Sequence, residues 1–256
     1  MTPEAPTPAR GAPRKGSRSL SLGRIAGIPV RVHWTFWLLI PLVVVAYVGR
    51  GWQAVVAGLA WVVALFVCVT LHEISHCLVA RRLGVEVVDI LLVPIGGFSE
   101  LSSMPEAPED ELAVAVVGPV TSLALGLAFA ALGVAAGAHL WPPTLFAGSW
   151  LARLAWLNLL LGAFNLLPAL PMDGGRVLRA ALERRHGHLE ATLVAARVAR
   201  WVGAALLIIG FVYDVWLVLI AVFVLMGASA EEADARRRQG PGGRQPEARP
   251  DDHTRA

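Results

Sequence analysis

Cysteine is nearly absent from this 256-residue chain: the two that occur, Cys68 and Cys77, stand nine positions apart. On one helix that spacing is about 13 Å of rise, beyond the reach of a disulfide, so no cystine framework holds the fold. Charge is also thin. Only 16% of residues are charged against 56% apolar, and mean hydropathy is +0.61, which excludes an ordinary soluble domain. Between Arg50 and His72 there is no charged residue at all. A net charge of +3 is too small for the pI of 9.4 to argue for nucleic acid, and no nucleic-acid partner is expected. Six Lys/Arg and several prolines precede any apolar run in the first 31 residues, which reads as a polar tail and not a cleavable signal peptide. Neither an internal repeat nor a second folded domain is expected from the sequence pattern.

What the chain does have is long apolar runs. It is read as an all-α polytopic membrane protein with about six transmembrane helices and a short β-hairpin or re-entrant segment after the second. After a short lead-in from Ser21 to Arg31, the expected spans are 32–49, 52–83, 112–138, 150–168, 191–212 and 214–230. Asp214 divides the last two, and one long tilted span competes with that division. Trp34 and Trp37 are placed as interfacial anchors, with His33 at headgroup level. Val85 to Leu101 is β-branched, too short to span as a helix, and broken by Pro94 and Gly96-Gly97, hence the hairpin. A kink is expected at Gly118-Pro119. Residues 1–19 and 231–256 are expected to be disordered tails flanking one membrane domain at 20–230. With six spans, every Lys and Arg except Arg50 and Arg153 falls on one side of the bilayer. The positive-inside bias makes that side the cytoplasm, with both termini there and the protein in the cell membrane.

Within the second span lies His72-Glu73-Ile74-Ser75-His76. Helix positions i and i+4 share a face about 6 Å apart along the axis, so two such histidines can hold one metal ion while the glutamate sits beside it. That is the requirement of a zinc hydrolase, in which imidazoles anchor the metal and a carboxylate takes a proton from water. Ionisable groups inside a span are costly and usually functional. The competing reading is a pair of core histidines hydrogen-bonded to neighbouring helices. His76 precedes Arg81-Arg82 by about 8 Å of helix rise, which places the motif near the basic, cytoplasmic face.

Catalytic zinc takes three protein ligands, and the carboxylates at that depth are Glu86, Asp89, Glu100 and Asp173. Asp173, held between Pro171 and Gly174-Gly175, is favoured; the paired glycines are expected to permit a tight turn there. An Asp that starts a turn before a helix, with Arg176 as partner, is an equal reading of the local sequence. Asn165 lies inside the membrane and needs partners, either a forming oxyanion or a neighbouring helix, the role assumed for Asn158. Cys68 shares the stripe of His72 and His76, although a lone membrane cysteine is more often a small apolar residue.

His72-Glu73-Ile74-Ser75-His76, Gly96-Gly97-Phe98, Gly118-Pro119 and Asn165 through Gly174, in that order, resemble the site-2 protease family of intramembrane zinc metalloproteases. Gly27-Ile28-Pro29-Val30-Arg31-Val32-His33-Trp34 resembles the entry to the first span in its bacterial sporulation-factor-processing branch. The resemblance covers about residues 20–235. It implies one Zn²⁺ per chain held by His72, His76 and Asp173, Glu73 as general base, and Asn165 as a substrate-positioning or oxyanion group. The partner it implies is a membrane-protein substrate: an anti-sigma factor, a pro-sigma factor or a signal-peptide remnant. Two departures stand out: Met172 replaces the usual Leu, and Ser122 stands where many members have Asn. CBS and PDZ domains, which the resemblance makes frequent companions, are not expected within these 256 residues. The expected function is hydrolysis of a peptide bond in or near a transmembrane segment; the rivals are a non-catalytic scaffold of the same fold and a metal or proton transporter.

Overall fold

The computed structural model describes residues 19–103, 107–145 and 148–239. The tails expected at 1–19 and 231–256 therefore lie outside the described residues, apart from Ser19 and 231–239. The described residues fall into two compact units, one within Met1–Glu106 and Val117–Ala163, the other within Ala107–Val116 and Phe164–Ala256.

The first unit opens with two strands where the sequence suggests only a lead-in. β1 (Ser19–Ile25) returns as β2 (Ile28–His33) through Ala26 and Gly27, both with positive φ, the two-residue turn that matches strand twist. β2 pairs in parallel with β3 (Val87–Val93), which pairs antiparallel with β4 (Gly96–Leu101), so the sheet runs β1-β2-β3-β4. The hairpin expected within 85–101 is its β3–β4 half. Parallel pairing needs a long crossover. Here it is a 3₁₀ turn (Trp34–Leu38), α1 (Leu39–Tyr47), a second 3₁₀ turn (Val48–Arg50) and α2 (Trp52–Arg82).

Ile28, Val30 and Val32 alternate inward along β2, beside Ile90 and Leu92 of β3, and pack on Phe66, Ile74 and Cys77 of α2. This core lays the sheet along the helix that carries the His-Glu-x-x-His motif. The first expected span, 32–49, is corrected: Val32 and His33 belong to β2, and the apolar helical stretch is Trp34–Arg50, interrupted by 3₁₀ turns. Pro41, in the first turn of α1, lacks the N–H that a regular helix would use further back. His33 caps the first 3₁₀ turn, its Nδ1 accepting from the Thr35 amide.

α3 (Pro108–Ala135) contains Pro119, and α4 (Trp150–Asn165) packs on it through small residues. A Cβ on Gly126 would meet Leu159, and one on Gly162 would meet Leu123 and the Pro119 carbonyl. Fully buried Asn158 donates to Cys68 Sγ at 3.2 Å and to the Leu154 carbonyl at 2.9 Å, joining α4 to α2. Cys68 is thus engaged with an amide. Arg153 lies over the rings of Trp61 (4.0 Å) and Trp150 (4.8 Å) and donates to the Leu145 carbonyl, so its charge is partnered.

The second unit holds α5 (Asp173–His186), α6 (His188–Tyr213) and α7 (Val215–Gln239). α6 and α7 are separate helices that meet at an extended Asp214 and fold back, Gly203 against Leu225 and Gly210 against Val218. Among the described residues, α2, α3 and α6 are each long and apolar enough to cross a membrane. The boundary expected at residue 230 is corrected, because α7 continues to Gln239. The reason is charge pairing from distant segments. Glu231 joins Glu111 in gripping Arg179 of α5, a residue only 5% exposed, and Glu232 pairs with Arg200 of α6 and Arg236. A buried arginine left without its carboxylates would be strongly destabilising.

Candidate metal centre

The motif helix α2 turns His72 and His76 to one face, and both rings are buried, at 3% and 5% exposure. Their Nε2 atoms stand 3.1 Å apart, with the rings tilted 75° to each other. On the other side of its ring, His72 Nδ1 lies 3.0 Å from Ser122 Oγ of α3. Buried imidazoles need such partners.

Gly118 makes room in front of the two nitrogens. A Cβ there would lie 2.2 Å from His76 Nε2 and 2.7 Å from His72 Nε2, so only glycine can face them. The arrangement fits zinc. Two nitrogens 3.1 Å apart, each about 2.05 Å from an ion, subtend about 100°, near the tetrahedral angle. A donor set of two buried imidazoles, one backed by a hydroxyl, also suits the metal.

Glu73, half-buried, follows His72 on the flank that meets the sheet. A Cβ on Gly97 of β4 would come within 2.9 Å of Glu73 Cγ and 3.2 Å of Val69 Cγ1, so the bare Gly97 backbone lets β4 run directly beside the glutamate. β4 is an edge strand of the described sheet. A carboxylate, two metal-competent nitrogens and an unpaired strand edge thus share one region of the first unit.

Asp173 and Asn165 belong to the second unit. Asp173 is 7% exposed and is the first residue of α5, one past the N-cap residue Met172, so its carboxylate lies at the positive end of that helix. The role of Gly174-Gly175 differs from the expected one. Both are helical, and neither has positive φ. Their value is close approach: a Cβ on Gly174 would lie 2.3 Å from the carbonyl oxygens of Leu166 and Leu167, and one on Gly175 2.4 Å from the Leu170 nitrogen. Asn165 ends α4 and is partly buried. Pro171 packs against Gly227 of α7.

Two contributors go unrecognised as such in the sequence. Ser122 registers only as a departure from a resemblance, and Gly118 only as a kink and as part of one of the motifs that carry that resemblance. Their four-residue spacing, which puts a bare backbone and a hydroxyl on one face of an apolar helix, is the signal that could have found them.

The model of peptidase family M50 matches residues 60–147 and 143–210. The chain is 35% identical over 217 residues to a zinc metalloprotease of Methanocaldococcus jannaschii, covering 83% of this chain and 60% of that one. It is 38% identical over 239 residues to Rip3 of Mycobacterium tuberculosis, named as a zinc metalloprotease, covering 86% and 60%. The chain spans about 60% of the length of these curated relatives. Among solved structures it is similar to the site-2 protease from Methanocaldococcus jannaschii, with a TM-score of 0.63 and 34% identity, covering 84% of this chain and 95% of that one. The chain belongs to peptidase family M50, the site-2 protease family of zinc metalloproteases.

Proposed function

We propose that this protein is an intramembrane zinc metalloendopeptidase that hydrolyses a peptide bond in or near a transmembrane segment of a membrane-protein substrate. The observation that carries this reading is the buried His72–His76 pair, whose ring nitrogens face the bare backbone of Gly118 on a helix apolar enough to span a bilayer. In this reading His72, His76 and Asp173 would hold the zinc, each being a buried side chain with one ligand atom to offer. When bound, zinc would supply Lewis-acid chemistry, acidifying a water and polarising a carbonyl. Glu73 accepts the proton of the attacking water and returns it to the leaving amine. Asn165 steadies the scissile carbonyl.

A helical substrate shields its own peptide bonds, so cleavage requires local unwinding. The β4 edge beside Glu73 pairs with the unwound strand and holds it extended. The topology of this reading has six spans and both termini in the cytoplasm. The separation of α6 from α7 at Asp214 supports it, as does the cationic excess expected on that side.

The test compares wild type with the double variant His72→Ala/His76→Ala in native membranes, reading zinc content and membrane-protein fragments. About one zinc per wild-type chain, none in the variant, and a fragment seen only with wild type are expected. Wild-type protein without zinc overturns the reading. Asp173→Ala is expected to weaken zinc binding by about 100-fold or more, at or beyond the upper range for a lost outer-shell partner, while the fold survives. The helix-terminal charge it removes is worth only about 0.3–1 kcal/mol. Undiminished zinc affinity in Asp173→Ala would eliminate its ligand role.

A further inference from the structure

We infer that Ser122 is a positioning residue for the metal centre, fixing the orientation of the His72 ring and which of its two nitrogens faces the metal. The inference rests on the metalloprotease reading and deepens it. Ser122 is wholly buried, one helical turn beyond Gly118 on α3, and its Oγ lies 3.0 Å from His72 Nδ1. Gly118 on the same face confronts Nε2 of both histidines. One face of α3 therefore addresses the His72 ring twice, leaving space at one nitrogen and offering a partner to the other.

The hydrogen-bond chemistry follows from what each nitrogen must do. An imidazole that gives its Nε2 lone pair to zinc is neutral and carries its single proton on Nδ1. That N–H then donates to Ser122 Oγ. The reverse arrangement, with the hydroxyl donating to a bare Nδ1, puts the proton on Nε2 and blocks the metal. Metal-bound histidines generally donate their second N–H to a carboxylate, a carbonyl or water. In this chain a serine hydroxyl, carried on a rigid apolar helix, takes that part. Ser122 touches neither substrate nor the reacting atoms in this role; it acts through His72.

The experiment is zinc affinity, measured by chelator competition on the purified full chain in detergent, for wild type, Ser122→Ala, Ser122→Thr and Ser122→Val. Thermal unfolding of the zinc-free proteins reports folding separately. Thr and Val have nearly the same volume and differ in the hydroxyl, so their comparison isolates the hydrogen bond from packing. Ser122→Ala and Ser122→Val are expected to bind zinc about 10- to 100-fold more weakly than wild type, with Ser122→Thr recovering most of the loss. Equal affinity in the Thr and Val variants, or a Ser122→Ala affinity equal to wild type, overturns the inference while leaving the metalloprotease reading intact. Wild-type protein that binds no zinc overturns that reading, and the inference falls with it.

Discussion

Gly118→Ala is expected to weaken zinc binding by at least about 100-fold while leaving the protein folded, because one methyl group occupies the space in front of both histidine nitrogens. The new Cβ lies 2.2 Å from His76 Nε2, 2.5 Å from His76 Cε1 and 2.7 Å from His72 Nε2. All three are separations that real Cβ atoms do not tolerate. Neither ring can give way cheaply. His72 is tethered through Nδ1 to Ser122, and both rings are buried on a helix packed against the sheet. Turning them aside swings their lone pairs away from the common point they now share. The backbone adds a smaller strain of its own: Gly118 is helical and precedes Pro119, whose ring disfavours that conformation in a residue with a Cβ, so the usual helical advantage of alanine over glycine is lost there.

Gly126→Ala on the same helix makes the matching control. Its Cβ meets Leu159 at 2.8 Å, so it overpacks the α3–α4 contact at a cost of about 1–3 kcal/mol and leaves zinc affinity unchanged. Zinc affinity and thermal unfolding, measured on both variants, separate the two effects. Equal zinc affinity in Gly118→Ala and wild type would mean that the histidine nitrogens do not face the ion.

The contrast between those two glycines shows where sequence reading succeeds. His72 and His76 are legible because helical spacing alone brings positions i and i+4 together. The β3–β4 hairpin is legible because Pro94 and Gly96-Gly97 break a β-branched run locally. Contributors that depend on a remote partner are not. β2 becomes a strand through parallel pairing with β3, some sixty residues onward, which nothing in Ile28–His33 announces. α5 lies between two expected spans, where the sequence offers no more than a helix after the Asp173 turn, and it is held by Arg179 against Glu111 and Glu231 from two other helices. The extension of α7 to Gln239 depends on the same pairing. Ser122 is an unremarkable hydroxyl until α3 lies against α2. Each gap has one physical origin: a polar group's partner is fixed by tertiary packing, and local pattern carries no record of it.

Glu73→Gln is expected to retain about one zinc per chain and to lose cleavage by about 1,000-fold or more, within the 10²–10⁴ range that a positioned acid–base group contributes. The substitution keeps the shape of the side chain, so the amide can still lie along the bare backbone of Gly97 and leave the sheet in place. It also leaves His72 and His76 untouched, with the Ser122 contact behind them. What disappears is a group able to accept a proton. Water beside bound zinc is acidified, yet its attack on a carbonyl still needs a base for the proton released and an acid for the departing amine. A glutamine serves neither end of that transfer.

The measurement pairs zinc content of the purified variant with turnover of the fragment that native-membrane proteomics links to the wild type. Loss of cleavage with zinc retained separates the chemistry of Glu73 from the metal-holding of its neighbours, a separation that the histidine variants cannot make. Cleavage at wild-type rate in zinc-loaded Glu73→Gln would remove Glu73 as the base. The search would then turn to Glu100, the acidic residue within β4, which runs beside the motif helix.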